Sequence, residues 1–429
     1  MNKIKVGVLG GFRGKMMMKF CLSYPDRAEL VAVCDKNPDV LAECKKDFDE
    51  KGAKVALYED FDEFLKADME AVVLANYANE HAPFAIRCLE RGLHVMSEVL
   101  PYRTLSEAVR LCEAVEKSGK IYHYAENYCF FPSTMEMHKL YKEGKLGEFE
   151  YGEGEYLHDC ESIWPDITYG ERDHWRNRMS GFYYCTHSSG PLLHITGLRP
   201  VSVVGFEGPR NEKTRRMGAQ GAPYAVEMVT LENGAIFKSI HGIAPSRSSI
   251  WYTVYGSKGK AESGREGYSE GFAEIHTFLD GQPDVASYHP EFESNDAEAF
   301  GHGGGDYYTM TNFLAAINGE ENDGVDVYQA IDMGHIGTFG FFSALEQKPM
   351  QIPNFRDKAV REQYRNDNRT TQFLHEGDVE IPANTAGNID YPDSLYAEIY
   401  QRMLDRKKEK AEKAKKEQEE KEKANEQKA

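Results

Sequence analysis

Apolar and polar residues follow one another along this chain in two rhythms, and the change falls just after Phe131. Before it, short apolar runs at 4–9, 30–34, 55–58, 71–75, 94–97 and 120–125 predict strands. Amphipathic stretches at 15–22, 39–52, 61–65, 81–91 and 104–118 predict helices between them. Ala71-Val72-Val73-Leu74-Ala75 has no polar face at all, as parallel strands covered by helices on both sides require. Thr104 and Glu107 form a capping box that starts the last of these helices.

After residue 131 a helix is predicted at 133–144, and the period then becomes two, at 150–158, 201–208, 225–231, 235–243 and 251–255. Asn233-Gly234 is a hairpin signal and Ser257-Lys258-Gly259 a second turn. This pattern predicts a large, mostly antiparallel sheet, one face of which is expected to pair subunits into a dimer or tetramer. Residues 264–305 are glycine-rich and polar and end in Gly301-His302-Gly303-Gly304-Gly305-Asp306, read as a flexible loop over the site. Helices are predicted at 307–317 and 327–345, and 350–400 is expected to wrap the surface. From Asp405 the chain is almost all Lys, Glu, Ala and Gln, a solvated helix or disorder with nothing to bury. The domains expected are therefore 1–125, 126–350, an extension at 351–404 and a charged tail at 405–429.

The opening repeat carries chemistry. The strand Ile4–Leu9 leads into Gly10-Gly11-Phe12-Arg13-Gly14, then a helix, then a strand ending on Asp35. That is the plan of a dinucleotide-binding Rossmann unit. Glycines let the backbone approach a pyrophosphate, and the helix N-terminus presents unpaired N–H groups to it. Asp35 is placed to accept from the adenosine ribose and to repel a 2′-phosphate, which favours NAD over NADP. The spacing leaves two readings, because position 9 is Leu. Either Gly10 serves as the first glycine in a turn one residue shorter, or the turn differs. The fold class is α/β: a Rossmann domain followed by an α+β domain with the large sheet. Near the strand ends lie Asn76, His81, Glu98 and Asn127, further candidates for the cofactor.

Composition narrows the partners. With 51 basic and 70 acidic side chains the net charge is −19, which argues against nucleic acid or an anionic membrane. Eight cysteines without a C-x-x-C pair suit a reducing cytosol rather than disulfides or zinc, so no metal is expected. No apolar run approaches membrane-spanning length, and no signal peptide is visible, so a cytoplasmic protein is expected.

Four polar clusters could carry a reaction: Glu126-Asn127, Tyr156-Leu157-His158-Asp159, His174-Trp175-Arg176-Asn177, and Thr186-His187-Ser188-Ser189-Gly190-Pro191. With the nucleotide unit and the strand ending near Glu98, they resemble the Gfo/Idh/MocA family over about residues 3–350. Its dehydrogenases usually carry Glu-Lys-Pro where this chain has Glu98-Val99-Leu100, and Val99 cannot transfer a proton. The stretches Ala125–Cys129, Glu155–Asp159, Thr186-His187 with Gly190-Pro191, and Gly301–Gly304 are similar to the family's NAD-dependent α-N-acetylgalactosaminidase branch. Ser188-Ser189 stands where that branch favours Gly-Leu, and its tyrosine near 246–248 is absent. The resemblance implies that His187, Tyr156 and Glu126 face the sugar as catalytic residues. His158, Asp159, His174, Trp175 and Arg176 are the candidates for substrate binding.

Each key residue also has a structural reading: His187 before a Gly190-Pro191 turn, Tyr156 as a sheet residue, Glu126 as a strand-end cap. The leading functional expectation is a glycosidase acting on small glycosides through a redox-neutral cycle with a 3-keto intermediate. The alternatives are a sugar, glycoside or inositol dehydrogenase and a non-catalytic NAD and sugar sensor.

Overall fold

A computed structural model describes residues 2–265, 273–291 and 296–426. The strands β1 (Ile4–Leu9), β2 (Ala28–Cys34), β3 (Ala56–Tyr58), β4 (Ala71–Leu74), β5 (His94–Ser97) and β6 (Tyr122–Tyr124) form one sheet. Their order is β3-β2-β1-β4-β5-β6, and every pair is parallel. β4 is buried at each of its positions, as its unbroken apolar run requires. The order in which strands are added switches sides at β1, with β2 and β3 on one side and β4 to β6 on the other, so a crevice opens beyond the carboxyl ends of β1 and β4.

That crevice explains the glycines. Gly10 has φ +97°, and a Cβ there would lie 2.3 Å from the Ala75 carbonyl oxygen at the end of β4. A side chain could not be accommodated at Gly10 in this turn. A Cβ on Gly14 would meet the Gly10 carbonyl and Val8 at 2.5 Å, so this glycine lets the helix Lys15–Ser23 start against β1.

The second sheet contains β7 (Phe149–Leu157), β8 (Pro200–Glu207), β9 (Ala225–Leu231), β10 (Ile236–Gly242), β11 (Ser249–Gly256), β12 (Gly259–Ser263), β13 (Ile275–Leu279), β14 (Ala286–Tyr288) and β15 (Met350–Gln351). The order is β14-β13-β12-β11-β7-β10-β9-β8-β15. Only β7 and β10 run parallel among these described pairs, so the expected mostly antiparallel sheet is present. One face is covered by the helices Thr186–Thr196 and Val327–Glu346. Gly154 and Gly205 permit that approach: a Cβ on either would lie within 2.0 Å of a helix carbonyl, Ser188 O or Gly340 O. The other face carries Phe206, Val226 and Ile240 side by side in register.

Three local expectations change. Gly190-Pro191 is not a turn but the middle of the helix Thr186–Thr196. Proline there has no N–H for the carbonyl four residues back, that of His187. Tyr252 Oη donates to that carbonyl instead, so a residue on β11 repairs the helix from outside. The Gly301–Gly305 run is packed rather than an open loop: His302–Gly304 is a 3-10 turn, and the helix Gly305–Ile317 starts at once. A Cβ on Gly305 would sit 2.5 Å from the Asn127 carbonyl oxygen, which is why the run is glycine. Of the longer stretch 264–305, residues 266–272 and 292–295 lie outside the described residues. Finally, the last helix begins well before the charged tail and runs Asp393–Glu426.

The extension does wrap the molecule. Arg361 grips Glu116 with two hydrogen bonds of 2.8 and 3.0 Å, and Arg103 is held between Glu107 and Asp378. No described helix is long and apolar enough to cross a membrane, and no group of candidate metal ligands occurs among the described residues. All eight cysteines are buried and unpaired.

Candidate active site

A cleft of about 750 Å³ opens where the carboxyl ends of β1, β2 and β4 face the helix Thr186–Thr196. Gly10, Phe12, Arg13, Asp35, Asn76, His81, Glu98 and Asn127 line it from the nucleotide domain side. His174, Trp175, Arg176 and His187 line it from the other. The topology thus brings most of the candidates from both domains onto one cavity. Gly11 and Gly14 shape the turn from behind. Phe12 is 66% exposed on the turn.

Asp35 is fixed before any ligand arrives. Its carboxylate accepts from the N–H of Gly11 at 2.8 Å and of Asn37 at 2.9 Å. Several buried polar atoms along the cleft have no partner among the described residues: Asn76 Oδ1, Asn127 Oδ1, His174 Nε2 and Trp175 Nε1. Buried polar atoms carry a desolvation cost when unpaired, so this set fits a polar ligand such as a dinucleotide. His81 is different: its ring nitrogens lie 3.1 and 3.3 Å from the carbonyls of Leu100 and Asn76. Burial pushes its pKa down to about 4, so it is a neutral brace for the loop rather than a charged contact.

An ionic cluster forms the floor. The Arg13 guanidinium donates to both oxygens of Asp306, at 3.0 and 2.8 Å, and lies 2.6 Å from Glu98 Oε1. Asn127 Nδ2 adds a third hydrogen bond to Asp306 at 3.0 Å, and His302 lies 3.1 Å from it. Burial alone would raise the Asp306 carboxyl, but Arg13 and His302 outweigh it and hold it far below the ordinary carboxylate range. Glu98 is raised, because burial there dominates over Arg13. Arg13 of the glycine turn is thereby tied to the helix Gly305–Ile317 of the second domain. Asp306 escaped the reading of the sequence, although its place just after the glycine run was visible.

Of the catalytic candidates His187 lines the cleft, and Glu126 and Tyr156 pack against it without lining the cleft themselves. His187 Nδ1 is 2.7 Å from Glu126 Oε1, and Glu126 is completely buried. The carboxylate can only accept, so Nδ1 carries the proton and Nε2 is left with its lone pair. Glu126 is held in turn by the N–H of Tyr128, and its Oε2 has no partner among the described residues. Gly190 makes room for it: a Cβ there would lie 3.0 Å from Glu126 Cγ. The His187 ring stacks on Tyr128 with centroids 4.3 Å apart and touches Tyr156 at 4.7 Å. Tyr156 Oη is 3.0 Å from His158 Nδ1, so Tyr156 and the residue just past the end of β7 lie on one side of the sheet as their alternation predicts. Burial, followed by the field of His187, lowers the His158 pKa.

The remaining candidates divide. Burial, then Arg176 beside it, pushes His174 down to about 3, and its ring meets Tyr77 edge-on at 5.0 Å. Arg176 lies over Trp175 at 4.4 Å and donates to Tyr184 Oη at 3.0 Å. Asp159 does not reach this cleft; it pairs with Lys213 at 2.5 Å and anchors the loop after β7. The structure adds Tyr77, Tyr169, Tyr400 and Met403 to the wall. Tyr396, Ile399, Tyr400 and Met403 fall at helical spacing, a signal that was present in the sequence and passed unused.

Comparison with known proteins agrees with this geometry. Residues 4–126 match the Gfo/Idh/MocA model, described as an oxidoreductase family with an NAD-binding Rossmann fold. A glycosyl hydrolase family 109 protein of Bacteroides thetaiotaomicron is 27% identical over 61% of this chain and 60% of its own length. A family 109 protein of Streptomyces filamentosus is 24% identical over 82% of this chain and 78% of its own. An alpha-N-acetylgalactosaminidase of Bacteroides fragilis is 26% identical over 46% and 52%. The chain thus spans between about half and four fifths of these relatives. Among solved structures, levoglucosan dehydrogenase in complex with NADH and levoglucosan superposes with a TM-score of 0.66 at 17% identity, covering 82% of this chain and all of that one. An oxidoreductase domain protein from Kribbella flavida gives 0.66 at 19% over the same shares. These two likenesses establish the shared fold. Residues 4–126 of this chain thus carry an NAD-binding Rossmann fold similar to that of the Gfo/Idh/MocA oxidoreductase family.

Proposed function

We propose that this protein is an NAD-dependent glycosidase that cleaves small glycosides by a redox-neutral cycle. The observation that carries the reading is the buried Glu126–His187 pair opening onto the cofactor cleft, with Val99 where a dehydrogenase of this kind would hold lysine. Its family 109 relatives support it. NAD, when bound, supplies reversible removal of hydride from the sugar, most simply at C3, which makes the neighbouring C2–H acidic.

The chain's own groups perform the rest. His187 Nε2 is free to take the C2 proton, and Glu126 stabilises the imidazolium that results. Tyr156, beside His187, is positioned to donate to the enolate oxygen. The C1–O bond to the aglycone then breaks to give the enone, water adds as hydroxyl at C1 with its other proton going to the departed aglycone oxygen, and His187 returns its proton to C2. Such a cycle needs no pair of carboxylates flanking the scissile bond, in contrast to an ordinary glycosidase. His174 Nε2 and Trp175 Nε1, both unpartnered among the described residues, offer donors to sugar hydroxyls. The open sheet face around Phe206 is proposed to pair two copies of the chain.

The oxidoreductase description of the family favours a second reading, net oxidation of a sugar. One experiment separates them. Purified protein is mixed with aryl glycosides while aglycone and NADH are followed together. Aglycone without net NADH supports the glycosidase, and NADH accumulation supports the dehydrogenase. Neither signal would leave a sensor. In deuterated water the cycle also places deuterium at C2 of the released sugar. Loss of both that label and any isotope effect from C2-deuterated substrate would overturn the elimination route.

A further inference from the structure

The C-terminal helix is the one part of the cleft wall that neither the nucleotide unit nor the sheet domain supplies. Its start is firmly seated. Tyr396 Oη donates to the Gly218 carbonyl at 3.0 Å, Ile399 is buried, and Arg402 donates to the Arg216 carbonyl at 3.1 Å. Gly170, at φ +65°, lies directly beneath it, where a Cβ would stand 2.3 Å from Tyr400 Cα. The neighbouring Tyr169 is held at φ +54°, a conformation that tyrosine rarely adopts. Tyr400 and Met403 then line the same cleft as Asp35 and Lys36, together with Tyr77 and Tyr169. Lys36 Nζ sits over the Tyr77 ring at 4.3 Å.

Asp35 marks the ribose of the adenosine half. The aromatic and thioether groups that line the same cleft are what an adenine face packs against. A cycle that returns its hydride to the same sugar gains from a cofactor that stays bound between turnovers. We infer that the first turns of the C-terminal helix, through Tyr400 and Met403, close the adenosine end of the cleft and slow the release of NAD. This goes beyond the glycosidase reading and stands whether the bound cofactor completes the cycle or is released reduced.

The test uses the full chain without any glycoside. NADH is bound, and its fluorescence is followed by stopped flow after excess NAD⁺ is added. Tyr400 is 49% exposed, so Tyr400→Ala leaves no cavity and should melt with the parent protein. Release from Tyr400→Ala should be about tenfold faster, the low end of what an aromatic contact with a base is worth. Tyr400→Phe should behave as the parent. Calorimetry should show ADP-ribose binding weakened by a similar factor and nicotinamide mononucleotide binding unchanged. Equal release from Tyr400→Ala and the parent would overturn the inference, as would equal weakening of both half-ligands. Either result leaves the aglycone and NADH assay of the glycosidase reading untouched.

Discussion

His187 and Glu126 meet at 2.7 Å inside the protein, one from the helix Thr186–Thr196 and the other from the end of the parallel sheet. The contact joins the end of the parallel sheet to a helix that covers the second sheet. It fixes the imidazole tautomer and directs Nε2 away from the carboxylate. His187→Ala should lower kcat by about 10²–10⁴-fold, the usual worth of a general acid–base group. Glu126→Gln keeps the shape and an acceptor oxygen for Nδ1–H but removes the negative charge that stabilises the imidazolium, and should lower kcat as well. Neither change should alter NADH affinity by fluorescence titration. A Glu126→Gln variant with parental kcat would remove Glu126 from the mechanism.

Asp35 is held by the amides of Gly11 and Asn37 in the cleft wall. Calorimetric titration should show NAD⁺ binding more tightly than NADP⁺. Asp35→Ala should narrow the difference, because a ribose acceptor and a repulsive charge vanish together. The variant also frees the Gly11 N–H, so a modest loss of melting temperature is expected. Equal binding of NAD⁺ and NADP⁺ by the parent protein would contradict the assignment.

Six histidines are kept neutral by burial. His81 and His194 are lowered to about 4, and His123, His174, His241 and His335 to about 3. Unfolding returns each to an ordinary value near 6.5, so the unfolded chain binds more protons than the folded one below that pH. Their contribution is fully present above pH 6.5 and is lost as pH falls toward 4 and 3. Each group costs about 1.4 kcal/mol per pH unit in that window. Melting temperature should therefore fall steeply between pH 6.5 and 5. A flat profile there would mean that these rings take up protons in the folded state.

The open sheet face presents Phe206 at 60% exposure, beside Val226 on β9 and Ile240 on β10. Gly205 lies on the opposite, covered face, so Phe206 has no role in the core. If this face joins two chains, Phe206→Glu should shift the light-scattering mass toward that of one chain while the melting curve remains cooperative. No change in mass would exclude the face as the interface.

The charged tail should matter little beyond its first turns. Arg406 and Lys410 pair with Asp166 at 3.3 and 2.7 Å, on the surface where such pairs are worth about 0–1 kcal/mol. A chain ending at Lys410 should keep the parental melting temperature and NADH release rate. A large loss of either would show that residues beyond Lys410 bear on the fold or the cleft.

The sequence by itself determined the local order of this protein. Ala71–Leu74 could only be a strand buried on both sides, and the glycine turn before the helix Lys15–Ser23 announced a nucleotide site. Those inferences rest on backbone periodicity and on glycine's freedom, which act over a few residues. The long-range pairs were decided by tertiary structure alone. Nothing adjacent to Arg13 names Asp306, nor does the chain around Glu126 name His187, because each contact exists only once two sheets have closed on a common crevice. Pro191 shows the limit most clearly. Its local preference is to end a helix, and the helix continues because Tyr252, from another strand, satisfies the carbonyl of His187 that proline cannot.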